Sequence, residues 1–276
     1  AWEIIFDPAN EGRGQWERLW RRQEVFTSHP GRREISVPSC WETIEEDYEG
    51  VAFYGRHFTV PESWRGKIVR LQFDAVNYIA EVFLNDHVVG RHEGGYGPFE
   101  FRIDDLLKYD EPNFVSLRVI GPIVAQDKVV DGLAKNDMPH WRGAIAGGIW
   151  QSVRLVATGT VYVDDVFLEP RLTDNTVTAH IGLENAGHVA CEVDVAVAIR
   201  SADDLDKVIA EKTANLKLVP GTNKQSWTLA IPETRYWSPD DPHLYVAAIR
   251  IAGEASVLDV EDVRFGMREL TIRNNK

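Results

Sequence analysis

The chain has 276 residues, and its 30 Lys and Arg face 43 Asp and Glu, which gives a formal net charge of −13. This length predicts about two domains, and a hydrophobic content of 44% suffices for a core in each. An acidic balance argues against nucleic acid and anionic membrane surfaces as partners, because both are bound mainly through Lys and Arg.

The cysteines and the start of the chain bear on its location. Cys40 and Cys191 lie far apart, which excludes a disulfide scaffold, and two are too few for a structural zinc site. No charged and then apolar leader follows Ala1, and no apolar run reaches the ~18 residues that a membrane span needs. We therefore expect a cytoplasmic protein without metal or other cofactor, although a leader removed before Ala1 would leave the same sequence.

The first half of the chain predicts strands and few helices. Helical windows are limited to Trp16–Glu24 and Asp104–Lys108. Asn85 and Asp86 tolerate the backbone of a tight turn, so a hairpin is expected at that point. The strands predicted in this half are Val69–Phe73, Tyr78–Leu84 with its hairpin partner at residues 87–89, and Phe114–Val119.

The second half alternates more regularly. In Thr176–Asn185 and Cys191–Arg200 every second residue is apolar, which is typical of half-buried antiparallel strands. Composition changes near residues 157–159, from rich in Trp, Tyr, Gly and Arg to rich in Val, Ala and Asp. The chain therefore predicts two β-sandwich domains, residues 1–158 and residues 159–276, the second of the seven-strand type.

Residues 121–148 form a long segment with no predicted strand or helix. A loop of this length in a compact domain is more often functional than accidental. Trp141 can stack on a sugar ring, while Asp137, His140 and Arg142 can hydrogen-bond hydroxyls or a carboxylate. Alternatively, Trp141 packs under the loop and Arg142 pairs with a neighbouring acid. Residue types alone leave both interpretations open. The loop's other acidic residues are Asp127 and Asp131.

The sequence gives little sign of other catalytic or metal-binding sites. Nucleotide-binding, serine-nucleophile and zinc-protease motifs are absent from the sequence. His87 and His92 bracket a short strand and could share a metal, but without a third ligand they are expected to be exposed hairpin residues. The acidic clusters at residues 45–47, 203–206 and 240–241 are expected to be solvated turns rather than a catalytic pair of carboxylates.

Several motifs follow one another in a recognisable order. They are Val37–Trp41, Gly50–Phe58, Leu84–Asp86, Val89–Gly90, His92–Phe99, Gly147–Val153, Tyr236–Pro239, Pro242–Tyr245 and Arg264–Arg268. This ordered set, which spans nearly the whole chain, resembles the first two domains of glycoside hydrolase family 2, the family of β-galactosidases, β-glucuronidases and β-mannosidases. The resemblance implies an all-β chain: a jelly-roll, galactose-binding-like β-sandwich followed by an immunoglobulin-like β-sandwich.

The resemblance also implies where catalysis takes place. In that family the two catalytic glutamates lie in a third domain, a (β/α)8 barrel, which needs about 250 further residues. We therefore expect no catalytic residue in this chain, no activity for it alone, and a parent that is a retaining hydrolase of β-linked terminal sugars. An initial Ala1 in place of Met also suggests a segment cut from a longer protein, although removal of the initiator Met or processing would give the same start.

In family members a loop of the first domain reaches the barrel's active site and helps to bind the terminal sugar. By resemblance, Asp137, His140, Trp141 and Arg142 are the candidate carbohydrate-binding residues, and the expected partners are a terminal β-linked sugar, the parent's barrel and a second copy of the chain. Two other hypotheses remain: a stand-alone lectin-like protein, and a structural pair of domains that supports the barrel or an oligomer interface.

The tryptophans of the motifs have a structural interpretation. Trp41, Trp150 and Trp237 each carry a large apolar ring, and we expect all three to fill sandwich cores rather than to touch ligand.

Overall fold

The computed structural model describes residues 1–14, 19–140, 146–254 and 256–270. The chain divides into two compact units, Ala1–Ala157 and Thr158–Lys276. Both are built from antiparallel sheets, and the one α-helix among the described residues is α1 (Gln23–Ser28). The all-β fold class expected from the sequence is confirmed.

The strands of the first unit form two sheets. They are β1 (Trp2–Asp7), β2 (Arg33–Ile35), β3 (Val51–Thr59), β4 (Ile68–Phe73), β5 (Ile79–Leu84), β6 (His87–Glu93), β7 (Phe99–Arg102), β8 (Pro112–Ile120) and β9 (Val153–Thr158). Six of them pair in the order β2-β1-β3-β8-β5-β6, and three in the order β7-β4-β9. Tyr54 and Leu117 of the larger sheet share a core with Leu71 and Phe73 of the smaller one, so the two sheets make a sandwich.

The six-stranded sheet is buried on its other face as well. Alternate residues of a strand point to opposite faces, which places Phe53, Ile79 and Phe114 outside the sandwich. There they form a second apolar cluster with Phe26 of α1 and Met138 of the long loop. The loop is therefore packed against the sheet over part of its length.

The second unit has seven described strands. They are β10 (Val161–Arg171), β11 (Thr176–Asn185), β12 (Cys191–Ser201), β13 (Asp204–Leu218), β14 (Gly221–Ala230), β15 (Tyr245–Ala252) and β16 (Val257–Phe265). The sheets have the orders β10-β11-β14 and β13-β12-β15-β16. Val177 and Trp227 of the first sheet pack with Val197 and Ile249 of the second in one core.

Regular alternation located strands well. Strand β11 has the bounds that the sequence predicts, and β12 extends the predicted segment by one residue. The expected hairpin at Asn85 and Asp86 is also present, with φ of 50° and 69° at these two residues. Positive φ at both central residues is the geometry of the two-residue hairpin turn that Asn and Asp favour.

The helix expected in the window Trp16–Glu24 is absent from most of the described residues of that window. Helix α1 begins at Gln23, at the end of the window Trp16–Glu24, whose residues 16–18 lie outside the described residues. The reason is that Leu19 bridges to Arg13 and the Trp20 amide donates to the Gly12 carbonyl at 3.1 Å, so the chain pairs with itself here. The second window gives one 3-10 turn, Asp104–Leu106.

The three tryptophans of the motifs differ in burial. Trp41 is fully buried, as expected. Trp150 and Trp237 are only half-buried, so the expectation that they fill the cores is wrong. Both rings lie partly at the surface, where Trp150 meets the exposed Tyr96 edge to face and the Arg268 guanidinium lies 4.6 Å from the centre of the Trp237 ring.

His87 is exposed, but His92 is not, which corrects the expectation for the second histidine. Its ring stacks on Phe99 with centroids 4.0 Å apart and planes 10° from parallel, and burial lowers its pKa. Within the described ranges, no group of three or more His, Cys, Asp or Glu is placed to hold a metal ion. In the same residues, no helix is long and apolar enough to cross a membrane.

Candidate functional site

The long loop is anchored at its start by Glu49, a fully buried residue just before β3. Its Oε1 accepts hydrogen bonds from the amides of Val124 and Ala125 at 3.0 and 2.7 Å, and its Oε2 from that of Gln126 at 2.8 Å. Lys128 Nζ donates to the Glu49 carbonyl. Three successive amides on one carboxylate fix the direction in which the chain leaves β8, because charge-assisted bonds are the strong ones.

The middle of the loop is held by a tight turn and by apolar anchors. Val130 and Leu133 exchange two backbone hydrogen bonds of 2.9 Å around Asp131 and Gly132, whose φ values are both positive. Val130 and Met138 are buried in the outer cluster of the sheet. The loop thus has its own small core rather than lying free over the surface.

Asp137 and His140 lie on either side of the buried Met138. Asp137 is exposed and closes a turn, since its Oδ2 accepts from the Ala134 amide at 2.7 Å. His140 is partly buried, with Nε2 3.1 Å from Asn136 Oδ1. The structure therefore brings two of the four candidate residues into one stretch of packed loop. The other two, Trp141 and Arg142, lie outside the described residues.

The loop returns to the sandwich through Ala146, Gly147 and Gly148. Asn77 Nδ2 donates to the Ala146 carbonyl at 2.6 Å, and the backbones of Asn77 and Gly148 exchange hydrogen bonds of 2.9 and 3.0 Å. A Cβ on Gly147 would lie 2.1 Å from the Trp41 ring. The end of the loop thus lies directly on the buried tryptophan.

Glu42 is a titratable residue at the loop exit that the sequence did not single out. Its Oε1 accepts from the Gly147 amide at 3.0 Å. Burial raises the pKa of this carboxyl, although the bond from Gly147 opposes the shift. The signal that could have indicated it is its place directly after Trp41, at the end of the motif Val37–Trp41.

Tyr96 is a second residue that the sequence did not select. Its side chain is 60% exposed, and its ring meets Trp150 edge to face with centroids 5.8 Å apart. The carbonyl of Gly95 holds the Trp150 indole, and a Cβ on Gly95 would meet the Asn77 side chain that secures the loop exit. An exposed aromatic ring therefore stands near the base of the loop.

Asp131, one of the loop's acids, has a structural role. Its Oδ2 lies 2.9 Å from the Arg118 guanidinium and 2.8 Å from that of Arg13, and its Oδ1 accepts from Asn10 at 3.0 Å. Burial opposes the charged form, but these three partners together hold the pKa of Asp131 below its ordinary value. This acid is committed to ion pairs and is not a free ligand for a sugar.

Two family models match the chain in succession. The sugar binding domain of glycosyl hydrolases family 2 matches residues 41–159, and a second model, of glycosyl hydrolases family 2, matches residues 161–268. The chain belongs to glycosyl hydrolases family 2. The resemblance found in the sequence is confirmed, with a sugar-binding domain followed by an immunoglobulin-like one. Neither matched domain is the catalytic barrel of family 2, and none of the described residues forms one.

Curated family 2 relatives cover most of the chain. A beta-galactosidase from Thermoanaerobacter pseudethanolicus is 30% identical over 252 residues, which are 87% of this chain and 32% of that protein. A beta-glucuronidase from Bacteroides fragilis is 29% identical over 264 residues, 86% of this chain and 35% of that protein. The chain spans about a third of the length of these relatives.

Solved structures of family 2 show the same fold. A family 2 member from Bacteroides cellulosilyticus matches with a TM-score of 0.75 at 21% identity, over 98% of this chain and 36% of that one. A beta-glucuronidase from Ruminococcus gnavus, solved in complex with D-glucuronic acid, matches with a TM-score of 0.73 at 22% identity, over 99% of this chain and 45% of that one. At these identities the likeness establishes the fold alone.

Proposed function

We propose that this chain is the non-catalytic sugar-binding and immunoglobulin-like part of a retaining β-glycosidase, and that its loop at residues 121–148 binds the terminal sugar. The proposed domains are residues 1–158 and 159–276. The acid/base carboxylate and the nucleophilic carboxylate that retaining hydrolysis requires would come from a barrel domain of the parent. We also predict that the chain is located in the cytoplasm and assembles with a second copy.

One observation carries the proposal: the loop is fixed at both ends and in the middle, and it presents Asp137 and His140 beside the buried Met138. A carboxylate and an imidazole can accept and donate hydrogen bonds to neighbouring sugar hydroxyls. Trp141 and Arg142 follow directly and would add a stacking ring and a cation. Contacts of this kind supply binding energy remote from the reacting bond, which an enzyme can use in its transition state.

The substrate class follows from the relatives only in outline. Those named here are a beta-galactosidase and beta-glucuronidases, so the candidate terminal sugars are a galactoside and a glucuronide. Arg142 favours the glucuronide, because a guanidinium pairs with a carboxylate through two parallel hydrogen bonds.

The test is a titration of the 276-residue chain with galactose, glucuronate and mannose, followed by ligand-observed NMR. We expect binding with a dissociation constant on the order of millimolar, about −4 kcal/mol, because the barrel's half of the site is missing. Asp137→Ala should raise the dissociation constant about tenfold, because it removes one charged hydrogen bond to the sugar.

Asp127→Ala is the matched control, since Asp127 is exposed on the same loop. It should leave the affinity unchanged. If no sugar binds at millimolar concentration, or if Asp137→Ala and Asp127→Ala behave alike, the loop is not a self-sufficient sugar site, and a purely structural role for the two domains is favoured. Tight binding of one sugar would instead favour the lectin-like hypothesis.

A further inference from the structure

A row of charged side chains crosses the outer face of the six-stranded sheet. The register places Phe53 of β3 opposite Arg118 of β8, Arg118 opposite Glu81 of β5, and Glu81 opposite Arg91 of β6. Cross-strand neighbours of this kind lie about 5 Å apart, close enough for their side chains to interact. The row thus places two arginines and one carboxylate side by side on the outer face of the sheet.

The innermost charges neutralise one another. Arg118 is 1% exposed, and its guanidinium lies 3.3 Å from Glu81 and 2.9 Å from Asp131. Arg13 bridges the same two acids, at 2.5 Å to Glu81 and 2.8 Å to Asp131. Two cations on two anions make a closed network, because a buried charge is tolerated only when it is paired.

Two further arginines are left over. Arg21 donates to the Asp86 carbonyl at 2.7 Å, and its guanidinium lies 4.7 Å from the centre of the Phe83 ring. Within the described part of the chain, no carboxylate forms an ion pair with Arg21. Arg91 pairs with Glu93 at 3.0 Å but remains 53% exposed, and can turn toward another anion.

These side chains line a pocket of about 450 Å³, whose walls also include Leu19, Phe53, Phe83 and Val88. This volume is within the range of small-molecule sites, which combine apolar walls with a few polar groups. Of the four lining arginines, Arg13 and Arg118 are neutralised by Glu81 and Asp131, and the exposed Arg91 pairs with Glu93. Arg21 is therefore the lining cation without a carboxylate among the described residues, and its charge favours an anion in the pocket. Glu81 would repel a second negative charge, but it can accept a hydrogen bond from a hydroxyl.

We propose that this pocket binds a sugar acid, a hydroxylated ring with a single carboxylate. Arg21 and Arg91 hold the carboxylate, Glu81 accepts from a hydroxyl, and the apolar walls receive the C–H face of the ring. The site shares no residue with Asp137, His140, Trp141 and Arg142, so it goes beyond the function proposed for the loop and can stand or fall independently of it.

The test uses the 276-residue chain labelled with ¹⁵N. D-glucuronate and D-galacturonate are titrated beside D-glucose, D-galactose, acetate and sulfate at low salt, and amide shifts are followed. We expect a uronate to move the amides of Gly12 and Gly90, which line the pocket, without moving that of Asp137. The affinity should fall at least tenfold in Arg21→Gln and in Arg91→Gln, and should also fall as NaCl screens the carboxylate.

Arg154→Gln is the matched control for Arg91→Gln, because both arginines are exposed and paired, Arg154 with Asp74 beside the smaller sheet. It should bind as the unmodified chain does, and unchanged melting temperatures show that all variants fold. The proposal is overturned if Arg91→Gln and Arg154→Gln bind alike, if the neutral sugars bind as well as their acids, or if acetate and sulfate do. Uronate binding that survives in Asp137→Ala separates this site from the loop.

Discussion

At the scale of single residues, Gly147 is a position of the loop exit that has no room for a side chain. A Cβ there would lie 2.1 Å from one atom of the Trp41 ring and 2.2 Å from another, and Trp41 is fully buried. We expect Gly147→Ala to lower the free energy of unfolding of the first unit by roughly 1–3 kcal/mol, the usual cost of overpacking a core. Urea unfolding followed by tryptophan fluorescence measures it.

Gly97 supplies the control. It lies in the same unit, and a Cβ added to it has no heavy atom within 4 Å. Gly97→Ala should therefore change the free energy of unfolding by no more than about 0.5 kcal/mol. Equal losses in the two variants would mean that glycine flexibility, rather than contact with Trp41, decides the effect.

At the scale of elements, the entry of the long loop depends on Glu49. We expect Glu49→Ala to expose the amides of Val124, Ala125 and Gln126, because it removes the acceptor of all three. Hydrogen–deuterium exchange should be at least tenfold faster at these amides, with a loss of stability of about 1–3 kcal/mol.

Glu46 is the comparison, since it is exposed three residues earlier. Glu46→Ala should leave exchange in the loop unchanged. Were the loop amides to exchange at the same rate in both variants, the apolar anchors Val130 and Met138 would be sufficient to order the loop without Glu49.

The elements also show what a sequence can predict. Strand β11 was located to the residue because its alternation comes from burial on one face, which is a local property. The hairpin at Asn85 and Asp86 was predictable because the turn chemistry is local too. Both could be inferred without knowing what the strands contact.

The loop could not be inferred in the same way. Glu49 lies 75 to 77 residues before the amides that it caps, and no periodicity links them. The sequence selected Asp137 and His140 by type and position, and the structure adds that Met138 anchors them. Glu42 and Tyr96 were missed because their importance depends on contacts with Gly147 and Trp150, which only the fold creates.

At the scale of the whole molecule, the net charge of −13 hides a local cluster of arginines. The outer face of the larger sheet collects Arg13, Arg21, Arg91 and Arg118 around Glu81. Such a chain repels anions at long range, while the proposed pocket attracts them. Salt screens both interactions, so it should ease the approach of an anion but weaken its binding in the pocket.

The charge network also controls the response of the chain to acid, through Asp131. Its folded-state pKa is lowered from 3.8, so its contribution to stability is present above that value and is lost as pH falls through the folded pKa. Asp131→Asn keeps the positive φ of 52°, which Asn tolerates well. The substitution should lower the free energy of unfolding by roughly 1–3 kcal/mol at pH 7, because the charged hydrogen bonds are weakened. The loss should become progressively smaller below about pH 4.

Thermal unfolding of both proteins between pH 7 and pH 2.5 measures the difference. The two curves should converge as the carboxyl of the unmodified chain becomes protonated and its bonds to Arg13 and Arg118 weaken. Asp127→Asn, which changes another exposed acid of the same loop, should follow the unmodified chain at every pH. A constant gap between the Asp131→Asn and unmodified curves would show that Asp131 acts through shape and packing, and that its charge does not stabilise the network.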